Sequence, residues 1–315
     1  AFITAMLIMV ITTIIGISIS ERMQISMKRT SNILYHDLAY QYNLGGESWA
    51  ALILLRDLND DSKHGYIDSY REGWSTQLPL TSFEEGTITG RIFDLQSKFN
   101  LNNLLLDSKN ISKSPLNNPS ILYFKRLLKT LEIDPELVYA LIDWLDTNND
   151  ITYPAGSEDE EYISQTPAYL AANQLMVDPS ELRMVNGFSP EITHKLLPFV
   201  TALPTYTELN VNTAEKELLI ALDPNINSDI ADAVLQFQKI NSFSSKINFI
   251  DFVEKFIDKE QRTGKNLDHL LDVSSDYFMV NSIVNIEQAK SGLQSNLYRS
   301  KLGKITIVNR RRGVI

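Results

Sequence analysis

No cysteine occurs among the 315 residues, which excludes structural disulfides, thiolate catalysis and cysteine-ligated zinc. Histidine is scarce: His36, His64, His194 and His269 are scattered, and none stands at metal-ligand spacing from another. There is no Gly-x-Ser-x-Gly, no P-loop and no dinucleotide fingerprint. Paired carboxylates are present, but no aromatic sugar platform of the kind a glycosidase needs is identifiable beside them. The chain is therefore not read as an enzyme, with no catalytic residue assigned. Lysine and arginine are missing from Thr130 through Leu182, where twelve Asp or Glu accumulate. The net charge of −10 is thus the property of one segment, and the rest of the chain is close to neutral. Without clustered basic residues to neutralise phosphates, nucleic-acid binding is excluded too.

What is there begins with a long apolar run. AFITAMLIMVITTIIGISIS carries no charge before Glu21, and as a helix it spans about 30 Å, the thickness of a hydrocarbon core. A signal peptide has a shorter apolar stretch behind a basic region and a small-residue cleavage site. The run here, starting at residue 1, predicts a retained membrane helix over 1–20, with Ala1, Phe2, Ile3, Leu7, Ile8, Val10, Ile14 and Ile15 among the lipid-facing residues. The helical pattern then continues. Leu34, Leu38, Tyr42, Trp49, Leu52, Ile53 and Arg56 recur at i+3 and i+4, one face of an amphipathic helix, until Asn59-Asp60-Asp61 ends it. Gly45-Gly46 lies on or beside that face, where a sheet can approach closely. The result is one helix of nearly sixty residues, half in lipid and half in water.

GTITGRIF alternates with period two, the pattern of a strand. DYFMVNSIVNI (276–286) and SNLYRSKLGKITIVN (295–309) are also strand-like, with Gly292 and Gly303 as turn signals. Between them, 95–267 reads as helices and polar loops, so a helical domain is inserted in an α+β unit made by 21–94 and 268–315. Within the insert, ELRMVNGFSPEITHKLL (181–197) and ELLIALDPNINSDIADAVL (217–235) align as two copies of helix, tight turn, helix. Asn212 or Thr213 is the expected cap of the second copy's first helix. Such pairs resemble helix-hairpin-helix modules, but the turns lack the glycines and the basic neighbours that hold DNA backbone.

The acidic stretch LDTNNDITYPAGSEDEEY (145–162) concentrates six carboxylates and two asparagines. Calcium wants six to eight oxygens from carboxylates, amides and carbonyls of a loop, whereas magnesium keeps its waters. Asp146, Asn148 and Asp150 fall at positions 1, 3 and 5 of an EF-hand-like start. Ile151 and Ser157 then break the motif at positions 6 and 12, with Glu158, Asp159 and Glu161 just beyond. A solvated acidic loop is the alternative reading of the same residues.

The whole chain resembles minor pseudopilin K of type II secretion systems. The resemblance is carried by AFITAMLIMV, GRIFDLQSKFNLNNLL, LIDWLDTNND with GSEDEEYISQTPAYLAANQ, ELRMVNGFSPE, LPTYTELNVNTAEKEL, LDVSSDYFMV and the late RRRG, in the family's order. It implies a pilin-like fold: a long N-terminal helix packed on an antiparallel sheet, with a large all-α domain inserted in the sheet. It also implies an inner-membrane, single-pass protein with its bulk in the periplasm. The implied place is in a pseudopilus-tip complex with minor pseudopilins I and J, and H nearby, on a filament of the major pseudopilin. Secreted substrates and the secretin are further implied contacts. Calcium in the acidic loop is implied as well, and the donors expected here are Asp146, Asn148, Asp150, Glu158, Asp159 and Glu161. Leu34, Leu38, Tyr42, Trp49, Leu52 and Ile53 are the expected partner-binding residues. Most pilins carry a glutamate at the fifth mature position. Thr4, Ala5 and Met6 leave none here, which suits a subunit with no neighbour ahead of it, since an unpaired carboxylate in lipid is costly. The alternative is a membrane-anchored periplasmic calcium-binding module outside any filament.

Overall fold

The computed structural model describes residues 2–61, 65–106, 118–258 and 267–313; Ala1 and His64 lie outside them. The apolar run and the amphipathic segment form one unbroken helix, α1 (Phe2–Asp61), of 60 residues. Its most apolar window has a mean hydropathy of 2.5 and none of it is buried. Among the described residues it is the one helix long and apolar enough to cross a membrane. Phe2, Ile3, Leu7, Ile8, Val10, Ile14 and Ile15 are all exposed along it. Two threonine hydroxyls at the centre of this stretch are satisfied internally, as an apolar medium demands: Thr12 donates to the Ile8 carbonyl at 2.9 Å and Thr13 to that of Met9 at 2.8 Å.

After α1 come the hairpin β1 (Leu78–Phe83) and β2 (Gly86–Asp94). The insert follows, with β3 (Phe99–Asn100), α2 (Pro119–Thr130), α3 (Leu137–Leu145), α4 (Asp159–Ile163), α5 (Pro190–Leu196), β4 (Val200–Thr201) and β5 (Leu209–Asn210). It continues through α6 (Lys216–Leu222), α7 (Ser228–Ile240), α8 (Lys246–Val253) and β6 (Leu271–Asp272). The chain closes with β7 (Tyr277–Ile286), β8 (Ala289–Ser300) and β9 (Lys304–Gly313). The main sheet runs β1-β2-β7-β8-β9, each neighbouring pair antiparallel. Because β2 and β7 pair from Gly86↔Ile286 to Asp94↔Phe278, the insert leaves and rejoins the sheet at one end of two adjacent strands. The expected architecture is the observed one.

Local sequence explains the insert's helix starts. Asn118, Ser189, Asn227 and Ser245 each accept a backbone N–H at a helix N-terminus, and Pro119 and Pro190 occupy first-turn positions that need no donor. The two repeat copies are present: a 3-10 helix (Pro179–Met184) followed by α5, then α6 followed by α7. Their caps hold one surprise. Neither Asn212 nor Thr213 caps α6; its N-cap is Glu215, without a side-chain bond. Asn212 instead brackets Phe243, accepting its N–H at 2.7 Å and donating to its carbonyl at 3.1 Å. Gly292 is not a turn either: it lies inside β8 opposite Ile283, and the β7–β8 hairpin turns at Glu287, φ +50°.

The stripe of α1 that meets the sheet is not the large apolar one. Ala39, Asn43, Glu47, Ala50, Leu54 and Leu58 are buried there, a series rotated about half a turn from the Leu34–Trp49–Leu52 stripe. Small residues let the helix lie close. A Cβ at Gly46 would sit 3.0 Å from the Ile88 side chain, whereas Gly45 meets nothing within 4 Å. The polar members are paired: Asn43 Oδ1 accepts from Ser282 Oγ at 2.6 Å, and Glu47 takes a forked pair from Arg310 at 2.7 and 2.8 Å.

Sheet and insert are joined through buried polar groups. Asp94, at the end of β2, accepts from Gln96 N, Asn210 Nδ2, Thr213 Oγ1 and Ser275 Oγ at 2.6–3.0 Å. Beside it Arg299, on β8, donates to both oxygens of fully buried Asp68 at 2.6 Å, to Asp57 of α1 at 2.9 Å and to the Ser275 carbonyl at 2.9 Å. Its guanidinium also lies over the Phe278 ring, 4.6 Å from the centroid.

Candidate functional site

The acidic segment wraps the end of α3. The Asx side chains stiffen its first part by holding their own backbone: Asp146 Oδ1 accepts from Asn148 N at 3.1 Å, and Asn148 Oδ1 from Asp150 N at 2.7 Å. Asp159 is fixed from both sides, by Asn149 Nδ2 at 3.2 Å and Ala171 N at 3.0 Å. The segment is seated on an aromatic base, where buried Tyr162 meets Trp144 with centroids 5.2 Å apart and its hydroxyl accepts from Asn186 N at 3.2 Å.

At the centre stands Glu158. It is 4% exposed, and neither carboxylate oxygen has a hydrogen-bond partner. Burial, then repulsion from Asp143, Asp146, Asp159 and Asp150, pushes it up to about 7. A buried carboxylate with no donor is costly, and the neighbouring charges that act on this one are acidic. That is what a hard cation would answer. Asp143 is a further candidate donor, outside the set expected from the sequence. Fully buried on α3, it accepts from Thr152 N at 3.1 Å, and burial raises its pKa. The Asp-x-x-Asp spacing across the end of a helix was its available signal, since residues three apart share a face. Asn173, φ +47°, adds a second orphaned buried oxygen, Oδ1, while its amide donates to Asn149 Oδ1 at 3.1 Å.

Of the six expected donors, the structure gathers Asp146, Asp150 and Asp159 around Glu158. Asn148 is spent on the Asx turn, and Glu161 is exposed on α4. The gathered oxygens still stand apart. Among the described residues, the carboxylates that come together within 4.8 Å are Asp57, Asp68 and Glu72, and Arg299 already occupies that group. Gly156 is needed where the loop turns back: a Cβ there would lie 2.1 Å from Asp143 Oδ2 and 2.6 Å from the Thr152 carbonyl. Gly156→Ala is therefore expected to cost about 1–3 kcal/mol by overpacking, read as a lower melting temperature.

The expected docking residues divide. Leu34 and Leu52 are 61% and 63% exposed on α1, and Trp49, 49% exposed, lines a small cavity with residues of β1, β2 and β7. The other three pack inward. Leu38 lies beside the Ala39–Val284 cluster and Ile53 beside Ala50 and Leu54. Tyr42 stacks on Phe83 at 4.0 Å and donates to Glu85 at 2.8 Å.

The profile for "Type II secretion system (T2SS), protein K" matches residues 97–205 and, in a second part, 209–251. Type II secretion system protein K of Pseudomonas aeruginosa is 34% identical, covering 99% of this chain and 92% of its own length. That of Aeromonas hydrophila is 32% identical, over 99% and 96%. The chain belongs to the type II secretion system protein K family. It is a minor pseudopilin of that system, as the sequence resemblance implied. Its fold is also that of a chain in the crystal structure of the GspK-GspI-GspJ complex from enterotoxigenic Escherichia coli. That match has a TM-score of 0.78 and 23% identity, and covers 91% of this protein K and all of the other chain.

Proposed function

We propose that this protein K caps the pseudopilus tip together with minor pseudopilins I and J, and that a calcium-ordered loop stiffens its inserted domain. The observation that carries the reading is the division of labour on α1. Its small-residue stripe is spent on the chain's own sheet, while Leu34 and Leu52 stay open and Trp49 half-exposed below a bulky insert. Exposed large side chains in one line on a helix suit packing against neighbouring helices. The solved complex of GspK with GspI and GspJ supports that choice of partners. The apolar half of α1 serves as a single-pass inner-membrane anchor before assembly, with the remainder in the periplasm. No catalytic step is assigned; the role is structural.

For calcium, Glu158, Asp143 and Asp146 would hold the ion, with Asp150, Asp159 and the Asn173 Oδ1 completing an all-oxygen set. Bound there, it would screen the mutual repulsion of these groups and staple the loop in a protein without disulfides.

The test of the assembly reading is co-purification of the full chain, in detergent, with I and J. Trp49→Glu with Leu52→Glu is expected to weaken capture at least about thirtyfold, as loss of an interface anchor does. Leu52→Glu alone should leave the melting temperature unchanged, because Leu52 is 63% exposed, and it separates lost docking from lost packing of Trp49 on the sheet. Absence of any complex with the parent protein, with calcium binding retained, would leave a free-standing calcium-binding module instead.

A further inference from the structure

Where the insert rejoins the sheet, beside the β8–β9 turn, the surface opens into a cleft of about 390 Å3. That is within the size range of small-ligand sites. Part of its wall is aromatic: Tyr206, Tyr277 and Tyr298 line it, the last two rings tilted together with centroids 5.0 Å apart. The rest is acidic. Glu208, Asp272 and Asp276 face the same space as a single lining lysine, Lys301.

The three carboxylates differ in what they already hold. Asp272 is committed, accepting from Val273 N at 2.8 Å and Ser274 Oγ at 3.2 Å. Among the described residues Glu208 pairs with Lys246, Nζ 3.8 Å away, and that lysine is shared with Asp268 at 3.5 Å, while Lys301 acts on Glu208 through space. Asp276 is half-buried, and its carboxylate accepts no hydrogen bond among the described residues; Lys301 and Arg299 act on it through space alone. Burial pushes Glu208 up to about 7, with Lys246 opposing, and burial raises Asp276 as well.

Two half-desolvated carboxylates short of donors, set among tyrosine rings, restrict what can bind. An anion is repelled, and an apolar group would dry the carboxylates without pairing them. A compact organic cation answers both features, since its N–H groups pair with carboxylates and its charge is attracted to ring faces. We propose that the cleft binds an organic cation, a guanidinium or ammonium head, with Glu208 and Asp276 as acceptors and the tyrosines as its wall. The cleft is well placed to receive one from a soluble molecule. Arg299, the residue after Tyr298, bonds to Asp57 near the C-terminal end of α1, the end remote from the apolar span. The assignment is independent of docking to I and J.

The test is calorimetric titration of the full chain in detergent at low salt, using N-acetylargininamide, its neutral isostere N-acetylcitrullinamide, and the capped peptide Ala-Ala-Arg-Ala-Ala. Both guanidinium probes are expected to bind, and the citrulline analogue at least about tenfold more weakly. Glu208→Gln and Asp276→Asn should each cost at least about tenfold in affinity without lowering the melting temperature, since burial already opposes the charge of both. Tighter binding of the peptide assigns the occupant to a polypeptide side chain, whereas equal affinities assign it to a free cation. No binding of either guanidinium probe overturns the proposal. So does citrulline binding equal to arginine, which needs no variant to detect, or calcium occupying the cleft in place of both.

Discussion

Arg299→Ala is expected to lower the stability of this protein K by about 3–5 kcal/mol and to loosen the insert from the sheet. Arg299 is 3% exposed and Asp68 is fully buried. Burial disfavours the arginine's charge, and Asp68 and Asp57 more than restore it; burial likewise raises Asp68, with Arg299 opposing. Removing the guanidinium takes the compensating charge from two carboxylates, leaving Asp68 the Ser275 N–H at 2.8 Å, and takes away the cation over Phe278. The pair itself need not be a large net gain over an apolar one, but half of it left behind is a heavy penalty. Two companion variants separate these effects. Arg299→Lys keeps the charge but cannot reach Asp57, both Asp68 oxygens and Ser275 in one plane, so an intermediate loss is expected. Asp68→Asn made on the Arg299→Ala background should recover part of the loss, because it discharges the stranded acid. Thermal melts of the parent, the two single variants Arg299→Ala and Asp68→Asn, and their combination form a double-mutant cycle. A loss below about 1 kcal/mol for Arg299→Ala, well short of the range for a broken buried pair, would contradict the assignment of this hub as the joint between the two bodies.

That joint shows why part of the structure was legible in the sequence and part was not. Helix α1 and the strand-like segments GTITGRIF, 276–286 and 295–309 follow from local period and from turn and cap residues, which act within a few positions. Asp57, Asp68, Asp94, Asn210 and Arg299 come from five separate segments. Nothing in their local context distinguishes them from surface charges, since only the closed fold brings them together. The same limit explains the error on Asn212 and Thr213. Their sequence suits a cap, but the tertiary partners Phe243 and Asp94 claim them. On α1 the difficulty was different. A search for large apolar residues finds the stripe with the highest hydrophobicity, and here only part of it packs inward, while Leu34 and Leu52 stay open. Much of the contact with the sheet is made by alanine, glycine and paired polar side chains, with Leu54 and Leu58 beside them, and the value of the small residues lies in close approach rather than in hydrophobicity. In the acidic segment, composition alone pointed to a cation. The central place of Glu158 emerged only from its burial, because its neighbours in sequence, Asp159, Glu160 and Glu161, are equally acidic and mostly exposed.

Glu158→Gln is expected to act in opposite directions with and without calcium. In excess EDTA the parent carries a buried carboxylate with no donor, so the neutral amide should raise the melting temperature. In millimolar calcium the parent gains the ion's binding energy, roughly 2.7 kcal/mol at a hundred times the dissociation constant, and the variant loses most of that gain. The pH dependence has a definite sign. Glu158 is raised from 4.5 to about 7, so between those values the unfolded chain ionises first and the folded protein binds more protons. Without calcium, stability therefore falls as pH rises through this window, by an amount on the order of 3 kcal/mol, and the penalty is fully present above it. Glu208 is raised to about 7 as well and adds to the slope. The quantity to read is therefore the difference between parent and variant, which cancels that contribution. Calcium competes with the proton for the same oxygens, so its stabilisation should grow from pH 5 to pH 8, with magnesium giving little. A parent protein whose melting temperature ignores calcium at pH 8, or a Glu158→Gln variant that keeps the full shift, would reduce the loop to an acidic surface held by its Asx turns and by Tyr162.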